Sequence, residues 1–225
     1  MKKIVLASWL MFLVFHSSFA QKRNRLIGRR ITKTGSIELA LGPDYCFGDQ
    51  FELPIKQSFL TGSNWNVSLG YRNACSTKFG YKATVEYGKY IGTDEATHVH
   101  GAGFYSFRAN MINANIRGEY TYSFGKSIHR QSNLYALYSF LGIGVLNSHI
   151  TFAPNAYAGK GNETAPFLPV GGGFKYHLNE SFTLGTEMSY RYVLSDYVDG
   201  YKSSAATSKR NDVIIGMAFT IEYRL

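Results

Sequence analysis

Seven segments of the chain alternate apolar and polar side chains with a two-residue period, which a helix of about 3.6 residues per turn cannot sort onto separate faces. In the first, Ile37, Leu39 and Leu41 oppose Ser36, Glu38 and Ala40. In the second, Trp65, Val67, Leu69 and Tyr71 oppose Asn66, Ser68, Gly70 and Arg72, and in the third Tyr81, Ala83, Val85 and Tyr87 oppose Lys82, Thr84, Glu86 and Gly88. From Asn113 to Phe124 the apolar set includes Ile116, Tyr120, Tyr122 and Phe124, and the polar set includes Asn115, Arg117, Glu119 and Thr121. Val170, Gly172, Phe174, Tyr176 and Leu178 then oppose Gly171, Gly173, Lys175 and His177. Phe182, Leu184, Met188, Tyr190 and Tyr192 oppose Thr183, Glu187, Ser189 and Arg191. The last segment sets Val213, Ile215, Met217, Phe219, Ile221, Tyr223 and Leu225 against Ile214, Gly216, Thr220, Glu222 and Arg224. An eighth segment, Leu134 to Val145, is apolar on both faces and is placed by its length and polar boundaries. Seventeen Tyr and 16 Phe among 23 Gly and 5 Pro fit strands better than a helical bundle.

Strands of about nine to eleven residues suit a tilted crossing of a bilayer, whereas globular strands run to about five or six. Several of these segments are long enough to cross. The connections also fall into two alternating classes: Gly42 to Ser63, Ile91 to about Gly103, Leu146 to Ala165 and Leu194 to Asn211 are long, while Asn73 to Phe79, Gly125 to Ser132 and Asn179-Glu180 are shorter. Long loops on one side and short turns on the other predict an all-β chain, an eight-stranded antiparallel transmembrane β-barrel with both termini in the periplasm.

A soluble eight-stranded barrel of lipocalin or streptavidin type would alternate too, with its apolar face turned inward around a ligand. The polar face weighs against it. It carries Glu38, Glu86, Glu119, Glu187 and Glu222 together with Arg72, Lys82, Arg117, Lys175, Arg191 and Arg224. Charges of both signs can fill the narrow interior of such a barrel by pairing, and an unpaired one would be costly there. These residues are expected to form an interior charge cluster with a structural role. The apolar face, Leu184 included, is expected to meet outer-membrane lipid between aromatic girdles.

The N-terminal residues belong to a different pattern. Lys2 and Lys3 precede the apolar run Ile4 to Phe15 and then Ser18-Phe19-Ala20, which has the form of a cleaved secretory signal and is too short to span a bilayer as a helix. The chain thus divides into a signal peptide at 1–20, a basic periplasmic arm at 21–34 and an outer-membrane barrel at 35–225. Lys22, Arg23, Arg25, Arg29, Arg30 and Lys33 give the arm six positive charges and no acidic residue. A solvated tether is one reading of it, and docking to an acidic surface on a partner is the other. An exported chain meets no nucleic acid.

The segments Gly48-Asp49, Leu141-Gly142-Ile143-Gly144-Val145 and Val170-Gly171-Gly172-Gly173-Phe174-Lys175-Tyr176 resemble a family of small Bacteroidota outer-membrane β-barrels that includes PorG of the type IX secretion system. Glu187 with Tyr190-Arg191-Tyr192, followed by Asp196-Tyr197-Val198-Asp199, looks like that family's penultimate strand and last loop. Phe219-Thr220-Ile221-Glu222-Tyr223-Arg224-Leu225 is similar to a C-terminal strand read by outer-membrane assembly machinery, with Leu in place of the commoner Phe. The resemblance implies a non-catalytic barrel that partners periplasmic secretion-complex subunits.

No cofactor, metal or small-molecule substrate is indicated. Thr97-His98-Val99-His100 offers two imidazoles where a zinc site needs three or four ligands. Gly125-Lys126-Ser127 ends like a phosphate-binding loop, but Tyr120 stands where its first Gly belongs. A barrel enzyme with rim residues drawn from His98, His100, Asp196 and Asp199 is the alternative class, and nothing in their spacing specifies a mutual geometry. Cys46 is expected in a long loop and Cys75 in a short turn at the opposite end of the barrel, so no disulfide between them is expected.

Overall fold

The computed structural model describes residues 35–47, 64–93, 106–126, 133–152, 161–179, 181–195, 197–198 and 211–225. The expected signal and arm at 1–34, and His98, His100, Asp196 and Asp199, lie outside the described residues. Eight strands follow one another: β1 (Gly35–Phe47), β2 (Trp65–Ala74), β3 (Phe79–Thr93), β4 (Ser106–Lys126), β5 (Asn133–Phe152), β6 (Asn162–His177), β7 (Phe182–Val193) and β8 (Val213–Arg224). Each pairs antiparallel with the next, and β8 closes on β1 through a register that runs from Ser36 opposite Arg224 to Phe47 opposite Val213. The Leu225 N–H donates to the Gly35 carbonyl at 3.0 Å, so both ends of the barrel sequence meet at one end, called here the terminal end.

The short turns at that end are built from local hydrogen bonds. The Ser76 hydroxyl accepts the Phe79 N–H at 2.9 Å, and the Asn179 carboxamide oxygen accepts from Ser181 and Phe182 at 2.8 and 2.7 Å. Ser and Asn side chains hold turns in this way because their short polar arms reach backbone donors two or three residues on.

The alternation settles which face is inside. Ile37, Leu39, Val67, Leu69, Ile116, Leu141, Ile143, Met217 and Phe219 point outward, with Leu141 and Ile143 each 66% exposed and Phe219 73%. Their polar neighbours point inward and are buried. On β4 the outward series runs from Phe124, Tyr122 and Tyr120 through Ile116 to Ile112, after which Asn110 and Arg108 take over. Twelve residue steps at about 3.3 Å, tilted about 45°, make this belt roughly 28 Å tall. Aromatic rings line its terminal edge: Phe79 packs edge-on against Tyr120 at 5.1 Å, Tyr135 lies 5.9 Å from Phe124 and 5.5 Å from Tyr176, and Phe182 lies 5.1 Å from Tyr223.

Four strands run well past the boundaries expected from the sequence. β4 begins at Ser106 rather than Asn113, β5 continues to Phe152 rather than Val145, β6 begins at Asn162 rather than Val170, and β1 continues to Phe47 instead of turning into a loop at Gly42. The physical reason lies in an inversion of the pattern. Beyond Val145 the outward residues are Asn147, His149 and Thr151, while Leu146 and Ile150 turn inward. β4 does the same with Arg108 and Asn110 outside and Ala109 and Met111 inside. The apolar face changes sides, so a reading that follows it from the belt loses the strand. Cys46 accordingly lies on the inward face of β1, buried, and not in a loop; Cys75 is exposed in the β2–β3 turn at the terminal end.

Candidate functional site

The barrel interior holds two ionic groups and an apolar cap stacked along its axis. In the group nearer the terminal end, the Arg72 guanidinium reaches three carboxylates: Glu38 at 2.9 Å, Glu119 at 2.5 Å and Glu222. Lys82 pairs with Glu38 and lies 3.9 Å from Glu187, while Lys175 lies 3.1 Å from Glu222. Arg117 grips Glu187 with both terminal nitrogens and reaches Glu119 through Nε at 3.2 Å. Four carboxylates thus face four cations, and none of the eight side chains is more than 13% exposed. Pairing of this completeness is what lets charge occupy an interior from which water is excluded.

Aromatic rings complete the group from β5. The Tyr138 hydroxyl donates to Glu187 at 2.7 Å, Lys175 Nζ stands 4.7 Å from the Tyr138 ring, and the Arg117 guanidinium lies 3.8 Å from the centre of Phe140. Cations over ring faces gain from the quadrupole, most where solvent is absent. Room for these rings comes from β6. Tyr138 is in register with Gly173 and Phe140 with Gly171. A Cβ on Gly173 would stand 2.7 Å from the Tyr138 ring, and one on Gly171 would stand 2.6 Å from Phe140. Gly171 and Gly173 are therefore the complement of the inward aromatic residues on β5.

Further along the axis, Arg191 joins β7 to β1 and β3. Its guanidinium lies 2.9 Å from Asp44 and 2.5 Å from Glu86, Ser189 is 3.3 Å away, and the Tyr90 hydroxyl donates to Asp44 at 2.7 Å. Asn113 donates to Glu86 at 3.4 Å. Beyond this level the interior is apolar: Cys46, Tyr90, Ala109, Met111, Leu146, Ile150, Ala165, Phe167, Val193, Val198 and Ile214 pack into one buried cluster. Val198 belongs to the β7–β8 connection and is fully buried. Its N–H donates to Asp212 at 2.7 Å and its carbonyl accepts the Ser148 hydroxyl at 3.2 Å, which folds the connection into the barrel mouth. Among the described residues the inward side chains pack against one another as a core at these levels.

The structure thus brings together ten of the eleven charged residues expected inside, and divides them. Glu38, Arg72, Arg117, Glu119, Lys175, Glu187 and Glu222 form the first group with Lys82, and Glu86 and Arg191 belong to the second. Arg224 stands apart: it is half-buried at the terminal end, 3.0 Å from His177 Nδ1, which in turn meets the Thr183 hydroxyl at 2.8 Å. Asp44, Tyr90 and Tyr138 escaped the sequence reading. Asp44 shares the parity of Ser36 and Glu38 and would have been found by extending β1 through Pro43. Every described carboxylate is turned inward: Glu163 is partly buried and accepts from the Ser195 hydroxyl at 2.7 Å, and Asp212 is buried. Among the described residues no group of three or more His, Cys, Asp and Glu could hold a metal ion.

A closed antiparallel eight-stranded barrel with an ionic core and an apolar exterior defines a small barrel class of protein. The chain belongs to the family described as a domain of unknown function, DUF6089, whose model matches residues 54–216. Neisserial surface protein A has a crystal structure with a TM-score of 0.50 and 10% identity, covering 85% of this chain and 97% of that one, and the likeness is one of fold. The attachment invasion locus protein Ail of Yersinia pestis is 13% identical over 87% of this chain and 100% of its own, at a TM-score of 0.47. The outer membrane enzyme PagL is 15% identical over 84% of this chain and 99% of its own, at 0.42. A search of the curated proteins finds no match.

Proposed function

We propose that the protein is an outer-membrane barrel, inserted with both termini on the periplasmic side, that acts without catalysis as a structural or assembly component of an envelope complex such as the type IX secretion apparatus. The observation that carries the membrane reading is the outward belt of exposed apolar side chains between Ile112 and Phe124 on β4 and at the same levels around the barrel. Soluble monomers rarely expose apolar patches larger than a few hundred Å², whereas a lipid-facing band of roughly 25 Å flanked by aromatic girdles is the rule for barrels in bilayers. The interior supports a scaffold over a pore or a lipocalin-like ligand carrier, because the described inward side chains are buried in ion pairs and an apolar cluster along the axis. The resemblance of the Val170 to Tyr176 segment and of the C-terminal strand to the PorG-containing family supports the secretion role. The six positive charges between Lys22 and Lys33 supply a periplasmic arm for an acidic partner subunit.

The test is a tagged pull-down from crosslinked, detergent-extracted envelopes, with partners identified by mass spectrometry. Stoichiometric recovery of periplasmic secretion subunits is expected, weakened at Arg29→Glu/Arg30→Glu chiefly at low salt. Recovery of the barrel alone overturns the assembly role, and release from washed membranes without detergent overturns the membrane reading.

A further inference from the structure

At the far edge of the apolar belt, opposite the terminal end, a shallow groove of about 390 Å³ opens on the outer surface of β1, β2 and β3. Leu41, Trp65, Val67 and Tyr87 form its walls and Lys89 stands at its upper margin. The Tyr87 hydroxyl meets the Asn110 side chain at 3.3 Å, which ties the wall to β4. Lys89 is in register with Asn110, and Arg108 is the next outward residue on β4, so the two cations are diagonal neighbours across the strand pair. Diagonal neighbours sit about 7–8 Å apart, somewhat less at Cβ, within mutual reach of long side chains. Both are exposed, and neither pairs with a carboxylate among the described residues.

We infer that this groove and cation pair bind an anionic, phosphate-bearing lipid, with an acyl chain along Leu41, Val67 and Trp65 and a headgroup phosphate between Lys89 and Arg108. The inference rests on the reading that the belt lies in a bilayer. Three observations converge on that occupant. The groove walls are apolar and face where acyl chains would lie. Lys89 stands one outward step beyond Tyr87 on β3 and Arg108 two steps beyond Ile112 on β4, with Ile91 outward beside Arg108, so the cations border the belt at headgroup depth. Among the described residues every side-chain carboxylate is turned inward and none faces Lys89 or Arg108 at this rim, and an anion is the complement of the two cations.

Trp65 lies in the groove wall, and the chain has only two tryptophans, Trp9 and Trp65. The full chain carrying Trp9→Phe, reconstituted into phosphatidylcholine vesicles, therefore reports the site through Trp65 quenching by acyl-brominated lipid. Brominated phosphatidylglycerol is expected to quench at a several-fold lower mole fraction than brominated phosphatidylcholine, roughly fivefold for each cation engaged. Lys89→Gln/Arg108→Gln is expected to bring the two lipids level, while Lys78→Gln, in the β2–β3 turn at the terminal end, keeps the preference. Equal quenching by both lipids in the parent chain, or a preference that survives the double substitution, overturns the site while leaving the barrel in the bilayer. Quenching by neither lipid overturns the bilayer reading and the site with it.

Discussion

The Tyr90 hydroxyl donates to the Asp44 carboxylate at 2.7 Å, and this bond marks the level at which the barrel interior changes from ionic to apolar. Tyr90 belongs to both sides of the boundary: its ring packs in the apolar cap and its oxygen satisfies the second ionic group. Tyr90→Phe keeps the ring and removes the donor. Asp44 retains Arg191 at 2.9 Å, so the loss is one buried hydrogen bond to a charged acceptor, expected to cost about 1.5–3 kcal/mol in urea unfolding from detergent micelles. A change below about 0.5 kcal/mol would mean that the hydroxyl is not needed to hold Asp44.

Arg72 is the hub of the larger ionic group, touching Glu38, Glu119 and Glu222 from β1, β4 and β8. Arg72→Met leaves four carboxylates against three cations in a water-poor interior. Removing one partner of a buried pair costs about 3–5 kcal/mol, because the remaining charge stays desolvated. Adding Glu119→Gln restores the balance of three against three, so the double variant is expected to recover part of the loss. Additive destabilisation in a double-mutant cycle would show that the two side chains do not act as a pair.

The ionic groups were legible in the sequence because parity alone put Glu38, Arg72, Glu119 and Glu222 on one face, and an eight-stranded barrel has a single interior in which such a face can gather. Partners were not legible, since which strand stands across the axis depends on barrel shear rather than on any local pattern. The protruding ends of β4, β5 and β6 were missed for a different reason. Between Val145 and Leu146 the apolar parity switches faces as the outer surface passes from the belt to a polar environment, and a two-residue period with a phase change reads as the end of a strand. Leu134 to Val145 looked featureless because Tyr138 and Phe140 are apolar in composition, yet inside they serve the cations.

Gly216 and Gly118 separate packing at the ionic site from packing at the belt. A Cβ on Gly216 would stand 2.2 Å from Asp44 Oδ1 and 3.0 Å from Arg191 Nη2, whereas one on Gly118 meets nothing nearer than the Leu141 carbonyl at 4.0 Å. Gly216→Ala is expected to destabilise by about 1–3 kcal/mol through overpacking, and Gly118→Ala to change stability by no more than about 0.5 kcal/mol. Parallel unfolding of the two variants in the same detergent decides it; equal effects would contradict the inward placement of Gly216.

Depth within the belt makes a further prediction. Leu184 is only one outward step from Phe182 at the terminal end and pairs with Tyr176, so it sits near an aromatic edge. Ile116 lies midway between Tyr120 and Ile112 and pairs with Ile143. Ile116→Arg in phospholipid vesicles is expected to cost about 2–4 kcal/mol and Leu184→Arg about 0–1 kcal/mol. Equal costs would remove the depth assignment, and no cost at either position would mean that the belt does not face lipid.

Val198 closes the mouth opposite the terminal end with a single fully buried side chain carried by a connecting segment, its backbone held by Asp212 and Ser148. Val198→Asp would bring a second carboxylate beside Asp212 and into a cluster of apolar side chains. A carboxylate in such a place is expelled rather than accommodated, so the β7–β8 connection is expected to leave the mouth while the belt and ionic groups keep the barrel closed. Hydrogen exchange should then rise at the amides of Val198 and Asp212, the latter bonded to the Ser195 carbonyl at 3.2 Å, while amides of β1 and β2 near Arg72 keep their protection. Uniform loss of protection across all strands would instead make the cap part of the barrel's global stability and not a separately opening unit.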